Sequence, residues 1–265
     1  MTKKKGFRGA IFGLKFILIA ALVLVIIVLT GISPLFNISR IEVNGNINCK
    51  SDAIIDMSGL QTGVNGFKAI GPEPLDIVRL RFGKSEGNII KGCPYVKSIT
   101  AKYLLPGSIR ISIVERTPIG VVPYLGTSLL IDGEGYVLDT AGDESSENLP
   151  VIKGLKFDDY ELGKQLEPHN PESREVLIEI MKALSEVDNK EEVHILGLVN
   201  SLDVSDTDNV YISLDSRVMV RLGSLKDLNY RIKAMRQIFM KNIKKDERGL
   251  LDFSVSGNPV FTPER

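Results

Sequence analysis

The chain begins with one long apolar run, and alternating apolar and polar positions follow it. Residues 16–35 contain no charged side chain, and residues 16–32 read FILIAALVLVIIVLTGI. At a rise of 1.5 Å per residue, a helix over residues 16–35 reaches about 30 Å, which is the thickness of a bilayer's hydrocarbon core. The pattern predicts a transmembrane helix over residues 16–35, preceded by a tail of residues 1–15.

A cleaved signal peptide is the alternative interpretation of this run, because both begin with basic residues and continue with apolar ones. The run is longer than the roughly 7–15 apolar residues of a signal peptide. The small residues Gly31 and Ser33 are followed by Pro34, which is unfavourable next to a cleavage point. We therefore expect the segment to be retained as a membrane anchor.

Residues 36–116 have the pattern of a small α+β unit. Residues 37–43 (NISRIEV) alternate at period two, as in a strand with one buried face, and Asn44-Gly45 supplies a turn. Helical patterns follow near residues 51–60 and 74–91, and alternation returns over residues 96–103 and 108–115. The predicted order is β-α-α-β-β, with the helices on one face of a three-stranded sheet.

Residues 117–256 predict a larger, mixed-sheet β domain with two helices. The helices are predicted over residues 170–187 and 224–243, where apolar residues recur at spacings of three and four. The outer face of the second helix is basic and includes Arg231. The last strand is predicted over Leu250–Val255, before a polar tail of residues 257–265. The fold class is therefore α+β, with a single N-terminal transmembrane helix, the small unit and the larger β domain.

The charge distribution predicts the orientation in the membrane. The whole chain has 33 basic and 33 acidic residues, but five of the basic residues and none of the acidic ones precede residue 36. Basic residues flank membrane helices on the cytoplasmic side. We expect a single-pass protein of the cell membrane with a cytoplasmic N-terminus and an extracytoplasmic bulk. The mildly acidic remainder disfavours binding to nucleic acid.

No sequence motif points to catalysis or to a metal or other cofactor. His169 and His194 are the only histidines, and neither lies in a known catalytic motif. A cell-wall hydrolase needs only two suitably spaced carboxylates, so it is the alternative function. The close carboxylate pairs lie in polar or glycine-rich segments, where Asp favours turns. These pairs are Asp132 with Glu134, Asp158 with Asp159, and Asp206 with Asp208.

The two cysteines, Cys49 and Cys93, lie in the same small unit. Outside the cell they can form a disulfide or remain as thiols, and the sequence alone does not decide between these states.

Short motifs along the whole chain, taken in order, resemble those of the FtsQ/DivIB family of bacterial cell-division proteins. They are Phe36–Gly45 (FNISRIEVNG), Gly63–Phe67 (GVNGF), Pro94–Val96 (PYV), Leu105–Ile111 (LPGSIRI), Val114–Pro118 (VERTP), Leu130–Gly135 (LIDGEG), Leu149–Gly154 (LPVIKG), Val220–Gly223 (VRLG) and Leu251–Phe253 (LDF). The chain departs from the family in having Leu105 before the hairpin proline, where an aromatic is common. The resemblance implies a POTRA-like domain over residues 36–116 and the family's β domain over residues 117–256.

The resemblance also implies a function without catalysis. Family members are bitopic scaffolds at the division septum that bind the small division proteins FtsB/DivIC and FtsL and help to regulate septal peptidoglycan synthesis. The resemblance thus also implies a link to the septal synthase complex. Their contact uses the last strand as an edge, to which a partner strand adds. The corresponding positions here are Leu251, Asp252, Phe253, Ser254, Val255 and Ser256, with Phe261 as an apolar anchor beyond them.

Overall fold

The structure is a computed structural model, which describes residues 14–23, 25, 29, 31–141, 149–189, 194–223, 225–254 and 258–264. The chain divides into two compact units, Met1–Glu115 and Arg116–Arg265. Both units combine helices with a sheet, so the α and β architecture predicted from the sequence is confirmed. The tail of residues 1–13 and the loop of residues 142–148 lie outside the described residues.

The start of the chain is helical over residues 14–23, with exposed side chains. Residues 24, 26–28 and 30 of the predicted transmembrane helix lie outside the described part of the chain. Among the residues that are described, no helix combines the length and the apolar character that crossing a membrane requires.

From residue 40 onward, the first unit contains a three-stranded sheet and four short α-helices. Its elements are β1 (Arg40–Asn44), α1 (Ser51–Ser58), α2 (Gly66–Ile70), α3 (Pro74–Arg79), α4 (Gly83–Gly92), β2 (Val96–Leu104) and β3 (Ser108–Glu115). The strand order is β1-β3-β2, with β1 parallel and β2 antiparallel to β3. The predicted strands are present, but the helical zone predicted over residues 74–91 is split, because Leu80 ends α3 in a left-handed conformation.

The core of this unit follows the period-two pattern of β3. Ile109, Ile111 and Ile113 are all buried on one face of the sheet, against the helices. Tyr103 of β2 is 1% exposed and donates its hydroxyl to the carbonyl oxygen of Phe36 at 2.6 Å. Burial raises the pKa of this hydroxyl. The strand β2 is thereby bonded to the segment that leads into β1.

A disulfide and a carboxylate hold the loop after β1. Cys49 in this loop is bonded to Cys93 at the end of α4. The carboxylate of Glu115 accepts hydrogen bonds from the backbone N–H groups of Ile47, Asn48 and Cys49 at 2.8 to 3.2 Å. Burial alone would raise the pKa of Glu115, but these donors outweigh it and lower the pKa. The structure thus selects the bridged state that the sequence left open.

The second unit is a nine-stranded sheet with two long helices. Its elements are β4 (Pro118–Tyr124), β5 (Thr127–Asp132), β6 (Val137–Ala141), β7 (Val151–Lys153), α5 (Pro171–Asp188), β8 (Val199–Asp203), β9 (Val210–Leu214), β10 (Val218–Gly223), α6 (Leu228–Lys241), β11 (Gly249–Asp252) and β12 (Val260–Pro263). The sheet order is β12-β11-β10-β9-β8-β7-β4-β5-β6. Apolar residues of both helices share one core with the inward side chains of the strands, such as Ile180, Met235 and Val220.

Three details of this unit differ from the sequence-based expectation. The sequence pattern also predicts strands near residues 194–200 and 202–205, but the structure has a 3-10 turn, Leu196–Leu198, followed by the single strand β8. The short strands β7 and β12 were not predicted. The second helix begins at Leu228 after Asp227, and the expected cap Ser224 lies outside the described residues.

The disulfide should contribute strongly to the stability of the first unit. It joins residues 44 positions apart, and closing a loop of that size lowers the entropy of the unfolded chain by an amount worth about 2 to 4 kcal/mol. Replacing Cys49 and Cys93 together by Ser should therefore lower the unfolding midpoint of this unit, measured by calorimetry. Thiol counting on the unfolded parent protein should find two thiols only after reduction. Two thiols without reductant would contradict the assignment.

Candidate partner-binding edge

The strand expected to form the free edge, β11, has neighbours on both sides. It is parallel to β10 on one side and antiparallel to β12 on the other, where Leu250 faces Thr262 and Leu251 faces Phe261. The expectation that no strand follows Leu250–Val255 is therefore wrong. Residues 260–263 are too few, and too closely flanked by prolines, to give a strand pattern in the sequence.

The residues predicted to bind a partner have different environments. Leu251 and Phe253 are 0% and 6% exposed and belong to the core. Asp252 is half-buried and Ser254 is exposed, while Val255 and Ser256 lie outside the described residues. Phe261 packs against the core from β12. The structure therefore brings Leu251, Asp252 and Phe261 together in one ladder, but the side chains of Leu251 and Phe253 are not available to a partner.

The face of the sheet opposite the helices carries exposed apolar side chains near this edge. Met219, Leu250 and Val260 are 42%, 36% and 51% exposed. Met219, Leu250 and Thr262 are neighbours across three strands and line an open groove of about 450 Å³. A partner strand at the edge would lie beside this apolar row.

Arg231 of α6 fixes the end of the sheet from the core side. Its guanidinium donates to the backbone carbonyl oxygens of Leu222 and of Phe253, the latter at 3.0 Å. One side chain thus bonds to the chain at the ends of both β10 and β11. The charge pattern of the helix gave no indication of this role, because it placed Arg231 on a basic outer face.

Asp252 holds the chain where it leaves β11. Its Oδ1 atom accepts the backbone N–H of Ser254 at 2.7 Å, and its Oδ2 atom lies 3.8 Å from the Nη1 atom of Arg221. Arg221 in turn donates to Oδ1 of Asn209. Burial alone would raise the pKa of Asp252, but the hydrogen bonds from Ser254 and the charge of Arg221 outweigh it and lower the pKa.

The strand β12 has an unusual outer edge. The N–H of Glu264 donates to the carbonyl oxygen of Arg248, so Glu264 faces the ladder of β11. Because backbone groups alternate along a strand, residues 262 and 260 face the same way and residues 259, 261 and 263 face outward. Two of these three positions are Pro259 and Pro263, which have no N–H. In the described residues, β12 ends the sheet and offers one outward N–H, that of Phe261.

The carboxylate pairs considered from the sequence have structural partners. Asp132 and Glu134 both bind the Nη1 atom of Arg116, at 2.6 and 2.8 Å. Asp158 lies 3.1 Å from His169, with both side chains exposed. Asp206 accepts the N–H of Asp208 at 3.0 Å, as in a turn. In the described part of the chain, no group of His, Cys, Asp and Glu side chains is placed to hold a metal ion.

Comparison with known proteins identifies the family. The model of the cell division protein FtsQ/DivIB C-terminal domain matches residues 122–253. The chain belongs to the FtsQ/DivIB family of bacterial cell-division proteins. This confirms the resemblance found in the sequence motifs.

Relatives of this FtsQ/DivIB chain match most of its length. It is 28% identical to cell division protein DivIB of Clostridium acetobutylicum over 233 residues, which cover 86% of this chain and 84% of that protein. It is 24% identical to cell division protein FtsQ of Corynebacterium glutamicum over 170 residues, which cover 57% and 71%. The major extracytoplasmic domain of DivIB from Geobacillus stearothermophilus aligns with 49% of this chain and 98% of its own length, at 15% identity and a TM-score of 0.30.

A methyl group at Gly249 should detach β12. A Cβ atom there would lie 2.9 Å from the Cα of Pro263 and closer still to the carbonyl oxygen of Thr262. Gly249→Ala should therefore lose the hydrogen-exchange protection of residues 260–264 and cost about 1 to 3 kcal/mol of stability. Gly197→Ala is the matched control, because a Cβ at Gly197 meets no atom within 4 Å. Unchanged protection in Gly249→Ala would contradict the pairing of β11 with β12.

Asp252 should make the stability of this edge depend on acid pH. Because its pKa is lower in the folded protein, the charged carboxylate stabilises the fold above the unfolded pKa of about 3.9. That contribution is lost as the pH falls through the folded pKa. The unfolding midpoints of the parent protein and of Asp252→Asn should differ at pH 7 and converge in stronger acid. Asp246→Asn, at an exposed position, controls for the change in net charge. If the unfolding midpoint of Asp252→Asn changes with pH in parallel with that of the parent protein, the assignment is wrong.

Proposed function

We propose that this chain is a bitopic scaffold of the bacterial divisome, with no catalytic role. Residues 16–35 anchor it in the cell membrane, residues 1–15 lie in the cytoplasm, and the bulk lies outside the cell at the division septum. Residues 36–116 form a POTRA-like domain and residues 117–256 the β domain, to which residues 257–265 add the last strand, β12. Family membership and the charge-free apolar run support this proposal.

The observation that carries the proposal is the edge of the larger sheet at β12. An edge strand presents backbone groups to which another chain can add. We propose that FtsB/DivIC-like and FtsL-like division proteins bind here, one of them through a strand, and that the assembly regulates septal peptidoglycan synthesis through the synthase complex. Leu251 to Ser254 then support the site, because β12 and not β11 offers its edge.

The prolines define how a partner strand can pair. Pro259 and Pro263 can accept hydrogen bonds through their carbonyl oxygens but cannot donate, so in the described strand the N–H of Phe261 is the one outward-facing donor between them. A partner strand is then held in one register, centred on Phe261. The exposed side chains of Leu250, Met219 and Val260 offer it apolar contacts beside the ladder.

The cell-wall hydrolase is not favoured by any feature of the carboxylate pairs. Asp132 and Glu134 neutralise Arg116, whose side chain is 9% exposed, and Asp206 stabilises a turn. These contacts explain the positions of the acids without a substrate.

Binding should depend on the backbone N–H of Phe261. In full-length protein, Phe261→Pro removes this donor, and loss of one such bond at about 1 to 1.5 kcal/mol should weaken capture of the FtsB/DivIC-like partner about tenfold. Phe261→Leu keeps the N–H and an apolar side chain, so it should bind much as the parent does. Pro263→Ala adds a donor and should bind at least as tightly.

Charged substitutions at Phe253 are unsuitable for this test, because that side chain is buried and its loss would disrupt the core. Hydrogen exchange across β11 and β12 checks that Phe261→Pro leaves the sheet intact. If Phe261→Pro keeps an intact sheet and binds as the parent does, the partner does not add to β12. Equal weakening by Phe261→Leu would assign binding to the aromatic ring and not to the backbone.

A further inference from the structure

One end of the sheet in the first unit is attached to the segment that follows the apolar run. At this end β1 and β3 begin and β2 finishes. The N–H and the hydroxyl of Ser39 donate to the carbonyl oxygen of Gly107 at 2.7 and 2.9 Å. The hydroxyl of Tyr103 donates to the carbonyl oxygens of Phe36 and of Pro106, at 2.6 and 2.5 Å. We call this the proximal end of the unit.

The helix α2 begins at the proximal end and contacts the last residues of the apolar run. The side-chain amide of Asn65, the N-cap of α2, donates to the carbonyl oxygens of Gly31 at 2.9 Å and of Ser33 at 3.3 Å. The ring of Phe67 in α2 lies edge-to-face on Phe36, with 5.3 Å between centroids. The exit of the apolar run is thus fixed to α2.

The helix α3 is held at the same end. The residues that follow it pair with the last residues of β2, since the N–H of Tyr103 donates to the carbonyl oxygen of Leu80 at 2.7 Å. The N–H of Phe82 donates to the carbonyl oxygen of Ala101 at 2.9 Å. Because β2 finishes at the proximal end, α3 lies at that end of the unit as well.

Large apolar side chains are exposed at the proximal end. Their exposed fractions are 66% for Leu35, 42% for Val64, 66% for Leu75, 81% for Val78 and 54% for Leu105. They come from four separate segments that the hydrogen bonds above bring to one end. Such a grouping of exposed apolar residues is typical of an interaction surface.

We propose that the proximal end lies in the headgroup region of an anionic bilayer, with Leu75 and Val78 of α3 inserted among the lipids. The inference rests on the proposed membrane anchor, because it is the anchor that brings this end to the lipid surface. Lys68 of α2 and Arg79 of α3 are positively charged beside the apolar residues, while the acidic Asp76 of α3 accepts the backbone N–H of Gly83 at 3.2 Å. Apolar side chains flanked by basic ones are the composition of segments that lie in the membrane interface.

A bilayer is favoured over a protein partner because the exposed apolar surface is continuous with the apolar run. The apolar run ends at residues that are hydrogen-bonded to α2, so a membrane around the run would reach this end. The two exposed helical side chains then extend a surface that is already in lipid. These lipid contacts hold the first unit in one orientation relative to the membrane surface.

The chain contains no tryptophan, so one introduced residue reports on its own environment. Val78→Trp is placed in the full-length protein, reconstituted in vesicles of phosphatidylcholine and phosphatidylglycerol with brominated acyl chains. Its emission should be blue-shifted and quenched by the bromines. Ile47→Trp is the matched control, because Ile47 is 86% exposed and follows the far end of β1, about 15 Å away along the strand. Its emission should remain unshifted and unquenched.

The outcomes separate the inference from the anchor. Stronger quenching of Val78→Trp than of Ile47→Trp, reduced when Lys68→Glu and Arg79→Glu are added, supports the inference. If the protein co-floats with vesicles but both tryptophans are quenched equally weakly, the lipid contact is wrong and the anchor stands. If the protein does not co-float, the anchor and the inference both fail. A blue shift of Val78→Trp that depends on protein concentration in detergent, without quenching in vesicles, would assign this end to contact between copies and overturn the lipid contact.

Discussion

The alternation of side chains along each β-strand decides what the larger sheet can present at its C-terminal end. The inward residues of β10 and β11, such as Val220 and Leu251, are fully buried, and moving either strand by one residue would expose them. The same alternation turns Leu250 and Asp252 outward and aims the N–H of Phe261 away from the sheet. The core therefore fixes the register of the edge, and the edge cannot adapt to a partner by sliding without loss of core packing.

Arg231 adds a polar constraint to this apolar one. It bonds to the carbonyl oxygens of Leu222, at the end of β10, and of Phe253, just after β11, where the ladder between the strands is ending. Carbonyl oxygens buried without donors are costly. The guanidinium therefore supplies the hydrogen-bond donors that the ladder no longer provides at this point. Gly223 leaves room for it, because a Cβ there would lie 3.1 Å from Nη1 of Arg231. The end of β11 thus depends on a side chain of the helix α6.

Most elements of the fold were predictable from sequence, since long alternating or helical patterns such as residues 108–115 and 170–187 depend on local periodicity. The short strands β7 and β12 were not, because three or four residues are too few to show a period. The site was predicted only in part. The motif at Leu251 located the right ladder. The core contacts of Phe253 and the pairing of Phe261 with β11 are tertiary contacts, which a local sequence pattern does not show. The role of Arg231 was hidden for the same reason, since a helical charge pattern does not reveal which carbonyls lie within reach.

The prolines at β12 affect the specificity of partner binding more than its strength. An edge with a full set of N–H groups can pair with many extended segments, and proline on the solvent side prevents this. With Pro259 and Pro263 in place, a segment that pairs gains one donor and up to three acceptors, which is a weak ladder by itself. Selectivity must then come from side chains, and the exposed side chains of Val260, Leu250 and Met219 form the apolar surface beside that ladder. An extended chain without matching apolar residues would gain little at this edge, so the scarcity of backbone donors makes the outer face of the sheet part of the recognition.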